Sequence, residues 1–349
     1  MKIAFTADLH LRNWKETPER YRALEYILNE LTAKKIDNLI ISGDTFDRDF
    51  NNYTDFNELC ARFSKIRITI FPGNHDAEIS KKYFPAQNLE VINEATLKQF
   101  GNISILILPY LPGKLMDEVL TEFFYNNPVP ERWLLTGHGD YCTTAKDFNP
   151  YEPGVYMPLS GSAINKFNPF YVILGHIHKP SETGRVIYPG SPCPLDINET
   201  GKRRYIIFNT SDNSIEKLSV KTDVIYFNET LMTFPSENEF HDICDSIDRM
   251  IKNWKLDDNE KGLVKLRLKI KGFTSDLNRL KESIISHLEK KDIRLYDNDG
   301  PDLKEVNVVK EADDDRIILL KKTIEKISQL KIEADRVKIL EKIQEKIFT

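Results

Sequence analysis

Cysteine is scarce in this chain of 349 residues: Cys60, Cys142, Cys193 and Cys244 stand far apart, and none forms a Cys-x-x-Cys spacing. That excludes a disulfide framework and a cysteine zinc site as organising devices, and it points to a reducing, cytoplasmic setting. Long apolar stretches are missing too. No run approaches the roughly 18 apolar residues of a membrane span, so no membrane role is expected. Met1-Lys2-Ile3-Ala4-Phe5 already reads as a first strand rather than a targeting segment. A basic surplus is also lacking. At a net charge of −5 no global field favours a polyanion, so nucleic-acid binding would depend on local patches or on bound metal. The candidate patches are Lys81-Lys82, Lys202-Arg203-Arg204 and Lys265 to Lys271.

What is present suits a soluble chain of about two domains, with 40% apolar and 30% charged residues. From residue 1 to about 220, apolar strand-like runs alternate with amphipathic helices, the pattern of an α/β layered domain. Thr17-Pro18 reads as a cap followed by proline at the first helical position, opening a helix with Tyr21, Leu24, Ile27, Leu28 and Leu31 on one face. A second helix, Thr54 to Lys65, is expected to bury Phe56, Leu59, Cys60 and Phe63. Past residue 178 the strands come closely spaced between Gly, Asn and Asp, an antiparallel signature.

Near Lys221-Thr222-Asp223 the character changes. Val224 to Phe227, Glu237 to Trp254, Leu263 to Lys271, Thr274 to Lys290 and Ile293 to Tyr296 read as strand, helix, strand, helix, strand. The middle strand alternates Val264, Leu266, Leu268 and Ile270 with Lys265, Arg267, Lys269 and Lys271, one face buried and one basic. The expected domains are therefore 1–222, a small α+β unit at 223–300, an acidic linker at 301–315 and a helical tail at 316–349. In the tail, Ile317, Leu320, Ile324 and Ile327 recur at helical spacing, as do Val337, Leu340, Ile343 and Ile347. Such stripes either dock on their own protein or wait for a partner.

Five histidines and their neighbours follow the apolar runs: Asp8-Leu9-His10, Gly43-Asp44, Gly73-Asn74-His75-Asp76, Gly137-His138 and Gly175-His176-Ile177-His178. In open α/β sheets, residues outside the carboxyl ends of strands converge on one site. The composition suits a pair of divalent ions, about 3.5–4 Å apart, that clamp a phosphoryl group and activate water. Imidazoles and a carboxamide complete the coordination without excess negative charge. That nitrogen-rich set favours manganese, iron or zinc over magnesium or calcium, and manganese is the choice among them.

These five segments resemble the five motifs of the calcineurin-like metallophosphoesterases, over residues 1 to about 200. The resemblance implies a two-sheet sandwich flanked by helices, with the α+β unit as a capping domain and helices after it. It implies a first metal on Asp8, His10, Asp44 and His178 and a second on Asp44, Asn74, His138 and His176, with Asp44 as the bridge. His75 would face the phosphate without ligating metal, and Asp76 would orient it. Gly43-Asp44-Thr45-Phe46-Asp47-Arg48, the 224–297 unit and the trailing helices further resemble the SbcD-type nuclease subunits of bacteria and their phages. That narrower likeness implies a manganese-dependent DNA nuclease in repair or recombination, working as a homodimer with a coiled-coil SbcC-like ATPase, in the host cytoplasm if phage-encoded. Two other readings stand beside it: a phosphoesterase for small phosphodiesters or phosphoproteins, and a scaffold for DNA or the ATPase.

Overall fold

Strands buried on both faces dominate the first part of the chain. The computed structural model describes residues 1–142 and 154–308, with Lys322, Thr323, Lys326, Ile339 and Lys342 beyond them. Apart from those five positions, the tail at 316–349 and residues 309–315 of the expected linker lie outside the described residues. Two compact units separate, one formed by Met1–Leu195 with Lys202–Asp223, the other by Asp196–Gly201 with the chain from Val224 onward. Among the described residues no helix is long and apolar enough to cross a membrane.

The elements of the first unit are β1 (Lys2–Thr6), α1 (Pro18–Ala33), β2 (Asn38–Ile41), α2 (Thr54–Arg62), β3 (Arg67–Ile70), β4 (Leu89–Val91), β5 (Thr96–Phe100) and β6 (Ile103–Leu108). They continue with α3 (Met116–Asn126), β7 (Trp133–His138), β8 (Tyr141–Cys142), β9 (Leu159–Ser160), α4 (Gly161–Phe167), β10 (Val172–Gly175), β11 (Ser181–Thr183), β12 (Val186–Tyr188), β13 (Arg204–Asn209) and β14 (Ile215–Ser219). One six-stranded sheet runs β14-β13-β1-β2-β3-β4 and a second runs β11-β12-β10-β7-β6-β5. Strands β1 to β4 are parallel, as are β6, β7, β10 and β12, whereas β5, β11, β13 and β14 pair antiparallel.

Alternation along each strand sorts the side chains into layers. Ile3, Phe5, Ile40, Ile206 and Phe208 of one sheet pack with Ile105, Ile107, Leu134 and Ile173 of the other, filling the space between them. The intervening residues Ala4, Leu39, Ile41 and Ile207 face the opposite way, onto Tyr21, Leu24, Ile27, Leu28 and Leu31 of α1 and Phe56, Leu59 and Cys60 of α2. Leu106, Leu135, Val172 and Leu174 likewise meet Met116, Leu120, Ala163 and Ile164 of α3 and α4. The result is the expected helix-flanked sandwich. Thr17 departs from its expected role. Its hydroxyl accepts from the Arg12 backbone N–H at 3.2 Å and does not cap α1.

The second unit contains β15 (Ile225–Thr233), α5 (Glu239–Asn253), α6 (Asp258–Lys261), β16 (Val264–Thr274), α7 (Leu277–Lys290), β17 (Arg294–Leu295) and β18 (Asp302–Val308). β16 pairs parallel with β15, β17 and β18. Val264, Leu266, Leu268 and Ile270 are buried against Ile243 and Ile247 of α5 and Leu280, Ile284 and Leu288 of α7. β18 occupies residues read from sequence as acidic linker. Leu303 and Val306 pack against the core of this unit, and Glu305 meets Lys269 and lies 3.2 Å from Lys271 beside them. Within residues 302–308 the chain is thus a strand whose Glu305 pairs with Lys269 and Lys271 on the basic face of β16.

Members of the other two basic patches also make internal contacts. Lys81 donates to the carbonyls of Phe84, Ala86 and Leu89 at 2.8–2.9 Å. The buried Arg203 donates to Ser191 and to the carbonyl of His178, and Arg204 pairs with Glu182 at 2.9 Å.

Layering of β16 carries a direct test. Leu266→Ala should cost about 2–5 kcal/mol in urea unfolding, read at Trp254, whose ring stacks on Phe227 of the same unit. Lys265→Ala, on the exposed face, should cost about 0.5 kcal/mol or less. Equal losses would contradict the burial pattern.

Candidate metal centre

Hydrogen bonding continues past the ends of the parallel strands and locks their loops together. Ser42 N–H donates to Thr6 O at 2.8 Å, Asp8 N–H to Gly43 O at 3.2 Å, His10 N–H to Asp44 O at 3.0 Å and Leu11 N–H to Thr45 O at 3.0 Å. Across the two sheets, the Ser42 and Thr136 hydroxyls meet at 2.9 Å. Asp8, His10, Asp44 and His176 all have positive φ, of 55°, 46°, 46° and 100°. Such conformations cost about 1–3 kcal/mol each for non-glycine residues and persist only where surroundings impose them. Two glycines are required by close approach. A Cβ on Gly73 would lie 2.1 Å from Asp44 Oδ1, and one on Gly175 would lie 1.9 Å from Ser42 O.

The loops bring Asp8, His10, Asp44, Asn74, His138, His176 and His178 to one place, with His75 beside them. His10 Nε2 and His178 Nε2 are 3.0 Å apart. Asn74 Oδ1 lies 2.8 Å from His138 Nε2 and 3.2 Å from His176 Nδ1. Asp44 Oδ2 is 3.4 Å from His138 Nε2 and 3.7 Å from His10 Nε2, and Asp44 Oδ1 accepts from the His75 backbone N–H at 2.8 Å. His138 Nδ1 lies 3.0 Å from the Ser42 carbonyl, which directs its Nε2 inward. Among the described residues, potential ligand atoms fall within 4.8 Å of one another in three groups: Asp8, His10 and His178; His10, Asp44 and His75; and Asp8, Asp44 and His138. His176 is outside these groups, its ring turned between Asn74 and Asp140.

Electrostatics fit a cationic guest. Burial pushes the Asp8 carboxyl up to about 6, and its Oδ2 is buried without a hydrogen-bond partner. Burial pushes His10 down to about 3, leaving a neutral imidazole with a lone pair to offer. Burial would also raise Asp44, but the imidazoles of His138, His10 and His75 outweigh it and hold the carboxylate well below its usual range. The same charge overcomes desolvation at His138 and lifts it to about 9. An orphaned carboxylate oxygen, two imidazole nitrogens in near contact and a buried anion among histidines are together what divalent ions would satisfy.

Asp76 is placed differently from the expectation. Rather than orienting the His75 ring, its carboxylate accepts from Gly73 N–H at 2.7 Å and Phe46 N–H at 3.2 Å, tying two motif loops together, and burial lifts it to about 7. Asp47 takes the position facing His75, with its Oδ1 3.7 Å from Nδ1. The His75 imidazole holds the Asp47 carboxyl well below its usual range. Its position three residues after Asp44 was the available signal. Asp140, which lies 3.5 Å from His176 Nε2, was also missed.

A helix-flanked double sheet with this histidine and aspartate cluster at its strand ends defines a metal-dependent phosphoesterase. The family model described as calcineurin-like phosphoesterase matches residues 1–180, and the chain belongs to that family. Among curated proteins it is similar to the SbcD component of the SbcCD nuclease of Escherichia coli strain K12, 23% identical over 273 residues, covering 63% of this chain and 68% of the relative. It is also similar to the uncharacterized metallophosphoesterase YhaO of Bacillus subtilis strain 168, 23% identical over 214 residues, covering 56% of this chain and 50% of that one. Among solved structures, an archaeal phosphodiesterase aligns over 63% of this chain and all of its own, at 14% identity and a TM-score of 0.35.

Protonation sets a pH dependence. Above about pH 4, His10 has no proton to lose, whereas Asp8 releases one near 6 and His138 near 9. Manganese affinity should therefore rise with pH as the raised Asp8 and His138 groups lose their protons between about 6 and 9. Calorimetry at pH 7 in buffers of different ionisation enthalpy should register net proton release on manganese binding, because His138 is still protonated there. No release would contradict this electrostatic account.

Proposed function

We propose that the chain is a DNA nuclease that hydrolyses phosphodiester bonds with two divalent ions, manganese by preference, in end processing during repair or recombination. The observation that carries the reading is the convergence of six nitrogen and oxygen side chains around Asp44, with Asp8 Oδ2 left unpaired. Asp8, His10, Asp44 and His178 would hold one ion, and Asp44, Asn74, His138 and His176 the other, with Asp44 shared. The ions would polarise the phosphoryl group and lower the pKa of water. His75 donates a proton to, or stabilises charge on, the leaving oxygen, and Asp47 keeps its ring turned toward the substrate. Asp76 acts one step removed, by fixing the loop that carries Asn74 and His75.

The named relative in Escherichia coli, part of a nuclease, supports DNA as the substrate, and the β-α-β unit after residue 224 has a place in this reading as a capping domain. A coiled-coil SbcC-like ATPase is the proposed partner of the 316–349 tail, and a homodimer joined through α2 completes the assembly.

Asp44→Asn should lose metal and activity together while the fold survives, as measured by elemental analysis beside circular dichroism. His75→Ala should keep both ions and lower turnover by about 10²–10⁴-fold; loss of metal in that variant would make His75 a ligand instead. With manganese, the wild-type protein should shorten end-labelled linear duplex DNA. Turnover of bis-p-nitrophenyl phosphate without any DNA cleavage, with or without a copurified ATPase, would instead identify a small-ester hydrolase.

A further inference from the structure

Asp140 is 3% exposed, yet it belongs to none of the ligand groupings. Its setting is closely specified. Tyr188 OH donates to Gly139 O at 2.9 Å and accepts from Tyr141 N–H at 2.7 Å, holding the backbone on both sides of Asp140. Gly139 N–H donates to Gly175 O at 3.2 Å, Asp140 N–H to Tyr156 O at 2.8 Å, and Leu159 N–H to Asp140 O at 2.8 Å. With the backbone fixed, the carboxylate's partners include two groups of different purpose. Oδ2 accepts from Tyr156 N–H at 2.7 Å, and Oδ1 lies 3.5 Å from His176 Nε2. The Tyr156 ring packs on the His176 ring with centroids 4.8 Å apart.

His176 presents its other nitrogen, Nδ1, to Asn74 Oδ1, and Asn74 Oδ1 is also the atom that meets His138 Nε2. A neutral imidazole has one protonated and one bare nitrogen. For Nδ1 to offer a lone pair beside Asn74 and His138, the proton must reside on Nε2, the nitrogen that faces the carboxylate. We propose that Asp140 is a positioning residue for the second ion: it holds the Nε2–H tautomer and the ring angle of His176, so that Nδ1 ligates alongside Asn74 and His138. The proposal rests on the two-ion reading above and adds an asymmetry to it. Only the ion on the Asn74, His138 and His176 side depends on Asp140. The ion on the Asp8, His10 and His178 side does not.

Asparagine is the informative substitution because only one of its two terminal atoms can accept. If its carbonyl oxygen takes Tyr156 N–H, its amide NH₂ confronts Nε2 and drives the proton onto Nδ1. If the amide turns round, NH₂ confronts Tyr156 N–H. Both arrangements fail, although the side-chain volume hardly changes.

The test is manganese titration by calorimetry of full-length wild type and Asp140→Asn, together with the ring ¹⁵N shifts of His176 in the zinc-loaded wild type. Wild type should bind two ions. Asp140→Asn should keep the first and bind the second about 10- to 100-fold more weakly. The ¹⁵N shifts should show His176 protonated at Nε2 and metal-shifted at Nδ1. If Asp140→Asn binds both ions as tightly as wild type, the proposal fails while the two-ion reading stands. If wild type itself binds fewer than two ions, both fail. Should Asp140→Asn not fold, the wild-type shifts decide, and a bare Nε2 or a metal-shifted Nε2 overturns the proposal.

Discussion

One buried charge organises the first unit. The Asp44 carboxylate, 1% exposed, is held as an anion at the junction of two sheets by the imidazoles of His138 and His10 and by the backbone N–H of His75. Removing a charge from water is costly unless paired groups surround it. The pairing here is incomplete, since Asp8 nearby is raised by burial and keeps an unpaired oxygen. The protein alone leaves this cluster frustrated, and divalent cations would resolve it.

The rest of the fold supports the cluster. Isoleucine and phenylalanine between the sheets keep the strand ends of both sheets at one level, and the Ser42–Thr136 contact ties them there. Positive φ at Asp8, His10, Asp44 and His176 turns the side chains inward at a conformational cost that the interlocked backbone bonds offset. Arginines brace the loops from behind: Arg20 donates to the carbonyl of His10 and Arg203 to that of His178. These guanidiniums hold backbone, so they are not part of a DNA-facing patch.

Much of this is legible in the amino-acid sequence. The motifs stand out because an apolar run marks a strand and a following histidine or aspartate marks its carboxyl end. β16 announces itself by strict alternation from Val264 to Lys271, and the buried face of α1 by its helical period. What escapes has no periodic signal. Asp47 and Asp140 are ordinary loop aspartates in sequence, and their roles depend on rings brought from elsewhere in the fold, at His75 and His176. β18 looks like linker because Lys304, Glu305 and Asn307 mask Leu303 and Val306, and its partner on the β16 face lies more than thirty residues earlier. The internal partners of Lys81, Arg203 and Arg204 escape for the same reason, since a basic residue's acidic or carbonyl partner cannot be read from its neighbours.

The central claim is that Asp44 lies between two divalent ions. Anomalous X-ray scattering at the manganese edge, from crystals grown with manganese, tests it most directly. The account predicts two peaks about 3.5–4 Å apart on either side of the Asp44 carboxylate, one beside Asp8, His10 and His178 and the other beside Asn74, His138 and His176. A single peak, or two that do not share Asp44, would contradict it.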